Sequence, residues 1–139
     1  MSLAASQTAA TELQSFLAFD FGQQRTGVAY ASRLLGQAQP QATVRGIGQA
    51  KWDAISQHIA QWQPQALVVG VPFHPDGAAH DNTLLAQKFA RQLRGRFGLP
   101  VFEVDERYSS TEAHSLGATD IDAVSACIIL DQFLRSLDT

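Results

Sequence analysis

The feature that most restricts the fold is Ala66-Leu67-Val68-Val69-Gly70-Val71, six consecutive residues without one polar side chain. A short, uninterrupted apolar run between Pro64 and Pro72 reads as a strand covered on both faces. Such a strand needs helices to cover it, and the flanking segments carry the helical period. Trp52, Ile55, Ile59 and Trp62 are spaced 3, 4 and 3 apart, one stripe of a helix that Pro64 stops. Beyond a Pro72 to Asp81 loop, Leu85, Phe89, Leu93 and Phe97 recur every four residues, which predicts a helix from Asn82 to about Arg94.

The first third of the chain has a different period. Ser15 to Phe21 reads as a strand, Gly22 to Arg25 as a turn, and Thr26 to Ala31 as a returning strand. A weaker strand is expected near Gln41 to Ile47. Leu99 to Val104 is another short strand, and Ser109 to Glu112 has the capping-box form that opens a short helix. Asp120 is placed to cap a last helix, with Ile121, Val124, Ile128, Leu130 and Leu134 near its apolar side. The order β-β-β-α-β-α-β-α-α implies an α/β fold with a mixed sheet and helices on its faces. Residues 1–13 read as a loose tail, which leaves 14–139 as one domain.

Composition removes several classes of function. With 45% apolar residues the chain has material for a core. No run approaches the ~18 apolar residues of a membrane span, and Met1 to Ala5 lacks the basic start of an export signal. The single cysteine, Cys127, makes no internal disulfide, and a cytoplasmic location is expected. A net charge of −3 argues against gripping nucleic acid by bulk charge alone. The charge is uneven: eight basic and three acidic residues lie between Arg25 and Gly98, and two basic and eight acidic ones from Leu99 onward. Counts alone favour ordinary surface variation; a basic middle beside an acidic end also suits a site for phosphate and metal.

Three acids stand where chemistry is plausible. Asp20 interrupts the first apolar strand, where an ionised carboxylate is unfavourable unless paired or metal-bound, or else sits at an exposed strand end. Asp105-Glu106-Arg107 follows the last strand, at the sheet end where α/β proteins place ligands; a polar loop is the plain alternative. Asp120 and Asp122 open the last helix, where a capping role accounts for Asp120 better than for Asp122. Acids from separate elements repel one another unless a cation gathers them. An oxygen-only set selects Mg²⁺ or Mn²⁺ over Zn²⁺, and two such ions can activate water and stabilise a leaving oxygen in phosphodiester hydrolysis.

Four ordered blocks then resemble one family. Phe19-Asp20-Phe21-Gly22-Gln23-Gln24-Arg25-Thr26-Gly27-Val28-Ala29 looks like the D-x-G-x-x-R-x-G-V-A opening of the YqgF family, also called RuvX. Val68 to Pro72 with Asp76-Gly77, Asp105 to Ala113, and Ile121 to Ala126 followed by Ile128-Ile129-Leu130 are similar to its later blocks. The resemblance spans about residues 16–137. It implies a ribonuclease-H-like fold of the Holliday-junction-resolvase type, with a five-stranded sheet of an antiparallel meander plus parallel strands. It also implies a cytoplasmic nuclease that trims the 5′ end of precursor 16S rRNA.

Carried over by position, the resemblance makes Asp20, Glu106 and Asp122 the catalytic, Mg²⁺- or Mn²⁺-binding carboxylates, with Asp105 a possible neighbour. Arg25 and Arg107 would meet phosphate. Lys88, Arg91 and Arg94, on one side of the second helix, would extend the track, with an ordinary solvated helix face as the plain and favoured alternative. The chain departs from the pattern in two places. Leu116 to Thr119 leads almost directly to Asp120 where a longer basic segment is usual, and the Pro72 loop reads Phe73-His74-Pro75-Asp76-Gly77.

The expected activity is therefore metal-dependent phosphodiester hydrolysis on precursor 16S rRNA. The alternatives are a junction-resolving DNA endonuclease acting on branched DNA, or a weakly catalytic nucleic-acid-binding module of the same fold. A resolvase would form a homodimer so that two sites meet two strands, whereas an RNA trimmer can act as a monomer. An ATP-dependent phosphotransferase would need a second lobe that 139 residues do not supply. His74 and His80 share a loop without a third ligand and make a poor zinc site.

Overall fold

The computed structural model describes residues 12–74, 76–106 and 121–137. Five strands, β1 (Ser15–Asp20), β2 (Arg25–Ser32), β3 (Gln39–Arg45), β4 (Ala66–Val71) and β5 (Val101–Asp105), form one sheet in the order β3-β2-β1-β4-β5. β1 pairs antiparallel with β2, and β2 with β3. β1 pairs parallel with β4, and β4 with β5. The predicted meander and the parallel half meet at β1, the central strand.

Helices α1 (Gly48–Trp62) and α2 (Asp81–Phe97) cover one face of the sheet, and α3 (Ile121–Leu137) covers the other. The two faces differ in size of side chain. Leu17, Phe19, Val28, Leu67 and Val69 point toward α1 and α2, where they meet Trp52, Ile55, Phe89 and Leu93. Toward α3 the sheet presents Phe16 and Val68 but otherwise small residues: Ala18, Ala29, Ala31 and Ala66, together with Gly27 and Gly70. Small residues on the sheet let a helix axis come close, so α3 also buries its small side chains, Ala123 and Ala126, beside Ile129, Leu130 and Phe133. Of the expected stripe, Leu130 is fully buried and Leu134 packs against the same cluster, whereas Val124 and Ile128 are only half-buried. Size matching between sheet and helix decided the orientation, a term that hydrophobicity alone does not contain.

Element ends also differ locally from the sequence reading. Arg25, expected in the turn, begins β2, and β3 lies two residues earlier than expected. α1 ends as Pro64 requires, with Gln63 in the left-handed region and its N–H bonded to the Ile59 carbonyl. α2 starts at Asp81 because His80 caps it: Nδ1 accepts from the Asn82 N–H at 3.1 Å, and the His80 N–H donates to Thr83 Oγ1 at 3.0 Å. The cap engages Nδ1 of His80, whose ring lies 4.7 Å from that of His74. The expected Ser109 to Glu112 helix, the Asp120 cap and residues 1–11 lie outside the described residues. Among the described residues no helix is long and apolar enough to cross a membrane.

Phe89 is the hub of the large-residue face. Its ring lies 5.8 Å from Phe19, 5.0 Å from Phe21 and 5.6 Å from Trp52, centroid to centroid. Phe89→Ala is expected to lower unfolding free energy by about 3–5 kcal/mol, read from urea denaturation with the slope unchanged.

Candidate active site

The sheet has one end where its functional candidates gather. The parallel strands β1, β4 and β5 all finish there, while antiparallel β2 starts there and β3 finishes beside it. Asp20 is the last residue of β1. In register it stands between Gly27 of β2 and Gly70 of β4, and strand alternation turns all three toward α3. Both glycines are required by close approach. A Cβ on Gly27 would stand 1.8 Å from the Asp122 carbonyl oxygen, so the first turn of α3 sits directly on that backbone. A Cβ on Gly70 would stand 2.2 Å from Glu106 Oε2, in the space the carboxylate fills.

Glu106 follows β5 and continues its ladder by one bond, from its N–H to the Val71 carbonyl at 3.0 Å. Its side chain is buried on the α3 face. Alternation explains why Glu106, and not Asp105, reaches Asp20. Phe102 and Val104 pack in the α3 cluster and Glu106 follows their parity, whereas Val101 and Glu103 face α2. Asp105 shares that second parity and is exposed.

Asp20, Glu106 and Asp122 act on one another. Burial pushes the Asp20 carboxyl well above its ordinary value, and the Glu106 carboxyl beside it and then the Asp122 charge push it further. The Ser125 hydroxyl, one turn along α3 from Asp122, opposes them by favouring the ionised form. Ser125 had no role in the sequence reading. Its signal was present, as a buried hydroxyl on an otherwise apolar helix face. Asp122 is also paired, its Oδ2 3.2 Å from Arg25 Nε, with Arg25 largely exposed. As they stand, no three acids among the described residues are close enough to enclose an ion. Their chemistry fits a hard divalent cation: oxygen donors only, like charges gathered in a partly buried site, and a glycine cradle for the carboxylate.

The other basic candidates go elsewhere. Lys88 and Arg91 lie exposed on α2, which covers the face opposite Asp20. Lys88 and Arg96 both lower the pKa of Lys51, after burial, and Lys51 lies 5.4 Å above the Phe21 ring. Arg94 ties α2 to β5, donating to the Val101 carbonyl at 3.0 Å and pairing with Glu103 at 3.3 Å. Arg107 lies outside the described residues.

The model of the RuvX family, described as Holliday junction resolvase, matches residues 14–136. This chain belongs to the RuvX family. A Polaromonas sp. protein named "Putative pre-16S rRNA nuclease" is 66% identical over 99% of both chains. One of the same name from Albidiferax ferrireducens is 64% identical over 92% of this chain and 82% of its own. Among solved structures, Thermus thermophilus RuvC in complex with Holliday junction substrate is similar with a TM-score of 0.55. It is 14% identical, over 89% of this chain and 93% of that one, so the likeness speaks for the fold. The sheet order and the RuvC likeness make this RuvX chain ribonuclease-H-like, as its motifs implied.

The raised Asp20 value has a sign that can be checked. Folding raises the pKa above 3.8, so Asp20 favours the folded state below that value and loses this contribution as pH rises through the folded-state value. Without divalent cation, Asp20→Asn is expected to melt a few degrees above the parent at about pH 7, the gap closing toward pH 4. Added Mn²⁺ should raise the parent's melting temperature and leave the variant's unchanged.

Proposed function

We propose that this RuvX-family chain is a divalent-cation-dependent nuclease that trims the 5′ end of precursor 16S rRNA. The observation that carries the reading is that Asp20, with Glu106 beside it, and Asp122, paired with an exposed arginine, lie at one end of a ribonuclease-H-like sheet. The substrate is taken from the names of the close relatives. Asp20, Glu106 and Asp122 would hold the cation, which supplies Lewis-acid stabilisation of phosphate charge and a more acidic water.

The protein's own groups do the rest. Asp20 is fixed by the central strand and Glu106 by the bond to Val71, so two of the carboxylates ride on rigid backbone. Asp122 is placed by the seat of α3 on Gly27. Arg25 neutralises Asp122 and is free to turn its remaining donors toward a phosphate oxygen at the open side of the site. The buried Ser125 hydroxyl would favour the ionised form of Asp20.

The test is cleavage of end-labelled RNA spanning the precursor 5′ leader, beside linear duplex DNA and a four-way junction, with Mg²⁺ or Mn²⁺. The parent is expected to shorten the RNA. Asp20→Asn and Glu106→Gln are expected to lose on the order of a hundredfold or more in rate while remaining folded. Preference for the junction would replace the RNA reading with the resolvase one. Cutting by Asp20→Asn at the parental rate would remove the assignment of the site.

A further inference from the structure

Arg25, part of the first family block, has a basic neighbour that the quoted blocks do not include. Arg25 and Arg45 are direct cross-strand partners at the ends of β2 and β3. Like charges directly opposite each other on a sheet are destabilising unless an anion lies between or beside them. Arg25 has Asp122; Arg45 is exposed and has no ion-pair partner among the described residues. The two arginines line a groove of about 400 Å³ with Gln24, Gly46 and Ile47. A cleft of about 370 Å³ lined by Gly22, Gln23, Gln24, Arg25 and Asp122 adjoins it through the shared Gln24 and Arg25. The two clefts thus place Asp122, Arg25, Arg45 and Ile47 along neighbouring surface.

The Ile47 end of this surface is also built for an anion-bearing strand. The Gly46 N–H bonds the Gln24 carbonyl at 3.0 Å, which ties the two walls of the groove together. Ile47 is 69% exposed and offers an apolar surface where the groove ends. It precedes α1, whose first turn holds no acidic residue and whose N-terminus has no side-chain cap, so the positive end of the helix dipole reinforces the arginines.

We propose that Arg45, paired with Arg25, is a phosphate subsite that holds the nucleic-acid backbone adjacent to the carboxylate centre. The proposal rests on the nuclease reading for the identity of the ligand, and on the groove for its location. It places the substrate strand across the meander end of the sheet, away from Lys88 and Arg91. Because a phosphodiester contact carries no base information, the subsite serves affinity and register, not sequence choice.

The test is equilibrium binding of a labelled single-stranded RNA oligonucleotide in EDTA, where nothing is cut, followed by fluorescence anisotropy from ~50 to ~300 mM KCl. Arg45→Ala is expected to weaken binding roughly tenfold at the lowest salt and to flatten the log–log salt dependence by about 0.7, one phosphate's share for a single strand. Arg45→Glu should weaken it further. Arg135→Ala, which removes an exposed charge in the last turn of α3, should bind like the parent. A DNA oligonucleotide of the same sequence should lose the same factor, because the backbone charge is shared. Unchanged affinity and slope for Arg45→Ala would overturn the subsite, as would a loss confined to RNA, which would point to a ribose contact. Protein that binds through Arg45 but cuts no substrate would refute the nuclease reading alone. Protein that cuts, with Arg45→Ala binding normally, would refute the subsite alone.

Discussion

The repulsion among Asp20, Glu106 and Asp122 is the constraint around which this end of the molecule is built. Carboxylates do not collect in a partly buried place without structural support. Here the support is backbone: a central strand for Asp20, a ladder bond to Val71 for Glu106, and a helix seated on Gly27 for Asp122. None of the three hangs from a long flexible segment among the described residues. Ser125 and Arg25 reduce the repulsion without abolishing it. The fold thus holds unfavourable charge in reserve, as a centre that gains stability on meeting a cation does.

The unequal faces of the sheet follow from the same requirement. The α1 and α2 face is filled by Phe19, Trp52, Phe89 and Leu93 and carries the bulk of the apolar packing. The α3 face mixes Phe16 and Val68 with alanine, and at its site end Gly27 lets the first turn of the helix come close enough to bring Asp122 toward Asp20. One layer supplies stability and the other proximity. A larger residue at position 27 or 70 would add apolar contact and push the site apart.

Much of this was legible in the chain, for reasons that can be named. The uninterrupted Ala66 to Val71 run demanded cover on both faces, and the four-residue recurrence of Leu85, Phe89, Leu93 and Phe97 supplied part of it. Asp20 was visible because a carboxylate breaks an apolar strand. The choice between Asp105 and Glu106 required strand parity, which Val101, Phe102 and Val104 reveal only once their faces are known. The buried face of α3 was only partly legible: Leu130 was expected there, but Ala123 and Ala126 take core positions that a reading by large side chains passes over. His80 as a helix cap had no compositional signal, since histidine is not among the favoured capping residues. The Arg25–Arg45 pairing depends on the register between two strands and cannot be counted off along one of them.

The most direct test of the carboxylate centre is a crystal structure of the protein grown with Mn²⁺, located by its anomalous scattering. The expected result is an ion bound by Asp20, Glu106 and Asp122. An ion held elsewhere, or an Arg25–Asp122 pair intact beside an empty Asp20–Glu106 pair at saturating Mn²⁺, would contradict the account.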